Sequence, residues 1–241
     1  MRYINEFSLD IYMKSNELSL PTSFSVELAE ETGIHIGDGS MGVYRSGRKS
    51  HWCYTYCCHE VDDREYRNYV KKLIKKLYHM DPIQDKGKRK DHTALLRYTR
   101  KDLVLFKKKL GLPMGKKDGI MIPKWILGNK EYRIACVRGV FDTDGSFMIK
   151  KRYRKIPYYP VIKVTSKSKP LISQIKSILD EFEIKSSMCK NNRLSPRNPN
   201  FIWSIGISGF SNCRKYVNIF GFSNPKHLNK YKKIKSGGGE I

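Results

Sequence analysis

Two aspartates stand in closely matched surroundings 106 residues apart: Asp38 in Ile36-Gly37-Asp38-Gly39-Ser40 and Asp144 in Asp142-Thr143-Asp144-Gly145-Ser146. Each ends a stretch with small residues at helical spacing, Ala29, Gly33 and Gly37 in the first and Ala135, Gly139 and Thr143 in the second. A glycine inside a helix costs about 1 kcal/mol, so Gly33 and Gly139 need a packing reason. Small residues one turn apart let two helix backbones approach closely. The spacing therefore predicts two helices packed on each other across a pseudo-twofold axis. Asp38 and Asp144 then meet at adjoining helix C-termini, with Gly39 and Gly145 expected as C-caps.

That is a poor place for two carboxylates, because the helix end is itself negative and like charges repel. A divalent cation reverses both penalties. The two carboxylates and the orphan carbonyls of Gly37 and Thr143 are hard oxygen ligands suited to Mg²⁺. A metal held this way suits phosphodiester hydrolysis, in which it activates water and stabilises the leaving oxygen.

The composition agrees with a phosphate-rich partner. The 241 residues carry 47 Lys and Arg against 23 Asp and Glu, a net charge of +24. Such self-repulsion disfavours a compact chain unless a polyanion accepts it. Aromatic residues make up 12% of the chain, enough for an ordinary core. Mean hydropathy is −0.56, and no run approaches the ~20 apolar residues of a membrane span. The start, Met1-Arg2-Tyr3-Ile4-Asn5-Glu6, lacks a signal-peptide core, and the six cysteines show no disulfide framework. These features exclude membrane, secreted and fibrous classes and point to an intracellular chain.

The elements that must hold the aspartates repeat in kind. A basic, Tyr-rich stretch follows each one and leads into a β-like run, Trp52 to Tyr56 and then Pro160 to Thr165. An amphipathic helix comes next, with Tyr66, Val70, Leu73 and Leu77 in the first half and Leu171, Ile175, Ile178 and Phe182 in the second. Another strand follows, Ala94 to Tyr98 and Phe201 to Ile205, and each half closes on a short helix ended by glycine, at Gly111 and Gly221. The expected organisation is an N-terminal extension over 1–20, a first half over 21–115, a linker over 116–130, a second half over 131–235 and a tail over 236–241.

With those residues in view, the chain resembles the LAGLIDADG homing endonucleases in their single-chain, two-motif form. Val137-Arg138-Gly139-Val140-Phe141-Asp142-Thr143-Asp144-Gly145 matches the family motif closely. Glu31-Thr32-Gly33-Ile34-His35-Ile36-Gly37-Asp38-Gly39 matches it more loosely, with His35 in a usually apolar slot and Gly37 in place of a more typical residue. The resemblance implies an α+β fold of two pseudo-symmetric αββαββα halves, with saddle-shaped antiparallel sheets straddling duplex DNA. It implies a monomeric, site-specific double-strand endonuclease of a mobile intron or intein-like element, leaving short 3′ overhangs at a long target. Mg²⁺ is the implied cofactor, with Mn²⁺ able to substitute and Ca²⁺ binding without supporting cleavage. The implied setting is a prokaryotic cytoplasm or an organelle. A chain that grips DNA without useful cleavage, or a maturase acting on host intron RNA, is the alternative.

The family's metal ligand, the acid before the motif's last glycine, falls on Asp38 and Asp144. Asp142 falls where the family often has a structural acid; the first copy has Ile36 there. The basic group that the family places beside the metals resembles Lys167 in Thr165-Ser166-Lys167-Ser168, whereas the matching region of the first half reads His59-Glu60-Val61-Asp62. Lys116 and Lys226, each five residues past a closing glycine, are the further candidates.

Counting by two from Asp144 places Met148, Lys150, Arg152 and Arg154 on one strand face, joined by Val161 and Lys163, which suits major-groove readout. The first-half equivalents are Tyr44 and Ser46, with Arg45, Arg48, Lys49 and His51 in an expected hairpin loop. Arg193 and Arg197 lie in an inserted loop and are expected on flanking DNA. Helix lysines such as Lys71, Lys72, Lys75, Lys76 and Lys107 to Lys109 are read as solvated faces. Cys53 and Cys57 have zinc-like spacing but no second pair; Cys53, Thr55 and Cys57 are expected to face the core.

Overall fold

The computed structural model describes residues 18–85, 92–151, 157–191 and 202–237. The first half runs α1 (Val26–Asp38), β1 (Gly39–Ser46), β2 (Lys49–His59), α2 (Arg64–Tyr78), β3 (Thr93–Thr99) and α3 (Lys101–Lys109). A single turn, α4 (Lys124–Leu127), leads to the second half: α5 (Lys130–Thr143), β4 (Gly145–Lys151), β5 (Pro157–Ser166), α6 (Lys169–Glu181), β6 (Ser186–Asn191), β7 (Ile202–Ser208), α7 (Phe210–Ile219) and α8 (Pro225–Gly237).

The two central helices start on side-chain caps. Ser25 accepts from the Leu28 N–H at 3.1 Å, and Asn129 accepts from the Glu131 and Tyr132 N–H groups at 2.9 and 3.1 Å. They then pack face to face along their small residues. A methyl group at Gly33 would overlap the Cys136 carbonyl, and one at Gly139 would lie 2.5 Å from the Glu30 carbonyl oxygen and 2.8 Å from the Ile34 nitrogen. Here the glycines are needed for approach of backbone to backbone, which repays their low helix propensity.

Of the two expected C-caps, Gly39 does cap α1, its N–H bonded to the His35 carbonyl, whereas Gly145 does not cap α5. Gly39 is extended (φ −80°, ψ 154°) and opens β1, while Asp144 itself is the right-handed cap of α5 and Gly145 opens β4. A side chain at Gly39 would lie 2.6 Å from the Cα of His35, and one at Gly145 would overlap the Phe141 carbonyl. Glycine is required because each strand folds straight back against the helix it leaves.

Both sheets are antiparallel, ordered β1-β2-β3 and β4-β5-β7-β6. Among the described residues the first sheet has three strands where the αββαββα pattern expects four. At the missing edge only Gln84 makes an isolated bridge, to Arg97.

Helices cover one face of each sheet. In the first half Met41, Tyr54, Tyr56 and Leu96 pack inward under Tyr66, Val70, Ile74 and Tyr78 of α2. In the second, Phe147, Ile162, Val164 and Ile205 pack under Leu171, Ile175 and Ile178 of α6. The alternation in β2 thus puts Tyr54, Tyr56 and Cys58 in the core. Cys53, Thr55 and Cys57, expected there, lie on the opposite face: the large aromatic side chains claim the apolar side. Lys107 also departs from its solvated reading. It is fully buried, paired with Glu31 at 2.6 Å to Oε2, and stands 4.0 Å from the Tyr54 ring centre. The Tyr54 and Tyr78 hydroxyls each donate to Glu31 at 2.9 Å. A buried ammonium is tolerable only with such complete partnering. Among the described residues, no helix is long and apolar enough to cross a membrane.

Candidate active site at the paired helix ends

The crossing of α1 and α5 brings the C-terminal ends of the two helices side by side. A Cβ on Gly37 would overlap the Thr143 hydroxyl and lie 3.5 Å from the Asp144 carboxyl carbon, so the two motif ends touch. Burial, then the neighbouring Asp144 charge, pushes the Asp38 carboxyl up to about 7, and Lys117 pulls in the other direction. Burial raises Asp144 as well, opposed by Lys117. Two desolvated carboxylates with insufficient positive charge between them are what a divalent ion would relieve.

The helix-end carbonyls behave consistently with that chemistry. The Lys117 ammonium donates to the Ile36 carbonyl at 2.9 Å and to the Gly37 carbonyl. A cation therefore already sits on one of the oxygens expected as a ligand. The Thr143 hydroxyl turns back to the Gly139 carbonyl at 2.9 Å, leaving only its backbone oxygen as a ligand candidate. Among the described residues no group of three or more His, Cys, Asp or Glu could hold a metal, so the donor set is two carboxylates and backbone oxygens.

Asp142 is a tether. Its carboxylate accepts from the Ser223 and Asn224 N–H groups at 2.9 and 3.1 Å, fixing the turn before α8. Burial nevertheless pushes its carboxyl up to about 8.

The basic residues divide unevenly. A cavity of about 510 Å³ beside Asp144 is lined by Lys116, Lys117, Asp118, Thr165, Ser166 and Lys167, among others. Lys116 and Lys167 both line this cavity, but Lys117, which sequence reasoning missed, makes the contacts to α1. Counting from Gly111 misses it by one position. Lys226 lies on the Asp38 side, bound to Asp63 at 2.6 Å. Asp63 was also missed, and nothing in its local sequence signals the pairing. Although burial opposes it, the Lys226 hydrogen bond holds the Asp63 carboxyl below its ordinary value.

The sheet faces turned away from the core carry the predicted readers. Pairing of Ser146 with Lys163 and of Met148 with Val161 puts Met148, Lys150, Val161 and Lys163 on one face. In the first half Tyr44 pairs with His51 and Ser46 with Lys49, so these four share the corresponding face. Lys49 and His51 are strand residues here. The hairpin closes on Gly47 (φ +57°) and Arg48 alone, a two-residue turn. Arg45 alternates onto the opposite face, with Val43. Tyr44, His51, Cys53, Ile83, Arg97 and Thr99 line a second cavity of about 340 Å³. Arg152, Arg154, Arg193 and Arg197 lie outside the described residues.

Residues 131–221, which include α5 and its aspartate, match the LAGLIDADG-like domain family. Among solved structures, I-DmoI in complex with DNA and Ca superposes with a TM-score of 0.60 at 15% identity, covering 86% of this chain and 97% of that one. The LAGLIDADG homing endonuclease I-GzeII in complex with its DNA target gives 0.56 at 12% identity, covering 89% of each. The chain has a LAGLIDADG fold. The two-helix seam, the paired aspartates and the flanking sheets are the parts of that fold described above. Two archaeal relatives are more similar in sequence. The replication factor C small subunit of Methanocaldococcus jannaschii is 28% identical over 88% of this chain, and the tRNA-splicing ligase RtcB of Methanopyrus kandleri is 23% identical over 81%. The chain spans only 10% and 20% of their lengths.

Proposed function

We propose that this LAGLIDADG chain is a site-specific double-strand DNA endonuclease that hydrolyses phosphodiesters with Mg²⁺ and leaves short 3′ overhangs at a long target. The observation that carries the reading is the juxtaposition of Asp38 and Asp144, desolvated at two helix ends and bordered by lysines. A structural design would not place two carboxylates there without a cation. Asp38, Asp144 and helix-end carbonyls would hold the metal, which when bound would activate water and stabilise the leaving oxygen. In the reaction a water oxygen bonds to phosphorus as the bond from phosphorus to a sugar oxygen breaks. One water proton passes to that sugar oxygen and the other to solvent. Lys117 and Lys167 place positive charge beside the phosphate.

The polar sheet faces, with Lys150 and Lys163 on one and Lys49, His51 and Tyr44 on the other, support readout of a duplex as a monomer. Two relatives of unrelated description each match this chain over only 10% and 20% of their own lengths, which fits a mobile element carried between hosts. The test is cleavage of a randomised duplex library in Mg²⁺ with sequencing of the cut ends, and the Asp38→Asn/Asp144→Asn protein as blank. One long consensus with uniform short overhangs is expected. Tight binding with no enrichment above the blank would turn the assignment to a DNA-binding or RNA-maturase role.

A further inference from the structure

The two carboxylates do not have equivalent surroundings. Beside Asp144, Lys116 and Lys167 line an open cavity, and neither is ion-paired with a carboxylate among the described residues. Beside Asp38, Lys226 is bound to Asp63 at 2.6 Å, with side-chain exposures of 31% and 13%. Asp63 is held in turn by the His59 N–H at 3.2 Å and the Asn224 amide at 3.4 Å. The pair joins the turn before α2 in one half to the start of α8 in the other, so it is fixed at both ends. It adds a negative charge beside Asp38 and ties up Lys226, leaving Lys117, which also acts on Asp144, as the other cation near Asp38.

We propose that the Asp63–Lys226 pair withholds positive charge from the Asp38 flank, so that the two DNA strands are cut in a fixed order with the Asp144 flank first. This rests on the endonuclease reading above. The hydrolytic step is the same on both strands; what differs is the ammonium charge free to face the phosphate as water adds and the sugar oxygen departs. Asp63 is a positioning residue, acting through Lys226. The second cut waits on charge that the pair holds back.

The experiment follows a supercoiled plasmid carrying the library-derived target, with the broken strand read by primer extension on each strand. The wild type is expected to accumulate nicked circle with the break confined to one strand. Asp63→Asn, which keeps an acceptor for the His59 N–H, should speed the second cut about tenfold and leave the first within about twofold. The unchanged first cut reports that the variant is folded. Asp63→Ser, also a good helix N-cap, should behave alike if the asparagine variant is unstable. Adding Lys226→Met to either should abolish the gain, which a merely structural role for Asp63 would not produce. Equal strand rates in the wild type, or a second cut that Asp63→Asn leaves unchanged or abolishes, would overturn the proposal while leaving the endonuclease reading intact. Specific binding with no break in either strand would overturn both.

Discussion

The C-terminal turns of α1 and α5 occupy the same place in two similar halves, yet they are built from different residues. His35-Ile36-Gly37-Asp38 stands opposite Phe141-Asp142-Thr143-Asp144. The backbone seam and the terminal aspartate are common to both, because close approach and the paired carboxylates need both copies. The side chains that anchor each turn have diverged. The second turn uses Asp142 to tether the segment before α8, whereas the first lets Lys117 cap its carbonyls directly. One end is fixed by a carboxylate gripping backbone N–H groups, the other by an ammonium gripping backbone C=O groups. The residues at the helix contact are thus matched in both halves, while the groups that anchor each helix end differ.

The shared features should be the most damaging to break, and equally so in either half. A ligated cation is worth several kcal/mol in phosphoryl chemistry, so losing a ligand should cost about 10³-fold or more in rate. Asp38→Asn and Asp144→Asn should therefore each abolish double-strand cleavage, while gel-shift affinity for the target changes little. Cleavage persisting in one of the two would make the halves chemically unequal from the start. Next in size are Gly33→Leu and Gly139→Leu. A leucine at either would drive into the facing backbone and destabilise the protein by more than about 3 kcal/mol. Gly206→Ala is the contrast, since its added methyl meets nothing within 4 Å. Thermal melts should show the two seam variants collapsing and Gly206→Ala unaffected or slightly stabilised.

The unshared features should separate the halves. Lys117→Met removes the cation from the α1 carbonyls and should slow cleavage about 10- to 100-fold, the range of groups that orient metal ligands. Lys116→Met, in the same cavity but without those contacts, should do much less. Single-turnover rates across a Mg²⁺ titration would distinguish them, and an equal loss from both would deny Lys117 its special place.

That contrast also marks what the sequence could reveal. The aspartates, the glycine seam and the alternation of the strand faces all leave periodic marks within one element, so spacing alone finds them. The pairing of Lys117 with Ile36, of Lys226 with Asp63 and of Lys107 with Glu31 joins residues about 80, 160 and 80 positions apart. No local period records such contacts, and a buried lysine reads like any other in a helix ending Lys107-Lys108-Lys109. The packing of Tyr54 and Tyr56 into the core cluster, with Cys53 and Cys57 on the other sheet face, is a third case. Both sets alternate correctly, and only the volume that the helices must cover decides between them.

The smallest expected effect probes the first motif's departure at His35. Its ring is buried, stacked on Tyr54 at 5.1 Å, and neither ring nitrogen has a hydrogen-bond partner among the described residues. Burial, then the charges of Lys107 and Lys117, hold its pKa well below the ordinary value of 6.5. A histidine depressed in the folded state gives its full stability above about pH 6.5 and loses it as the pH falls, because the unfolded chain takes the proton first. The slope approaches about 1.4 kcal/mol per pH unit for one such group. His227, lowered to about 4 by burial and the nearby Lys226 and Lys230, adds a second contribution of the same sign. His35→Phe, which copies the second half's Phe141, should remove only the first. Its advantage over the wild type in urea melts should be about 1 kcal/mol at pH 7.5, from no longer burying unpartnered nitrogens. It should then widen steadily toward pH 5. A constant difference across that range would mean that His35 finds a partner when protonated, and that the first motif's odd residue is as well accommodated as the phenylalanine at the matching position of the second.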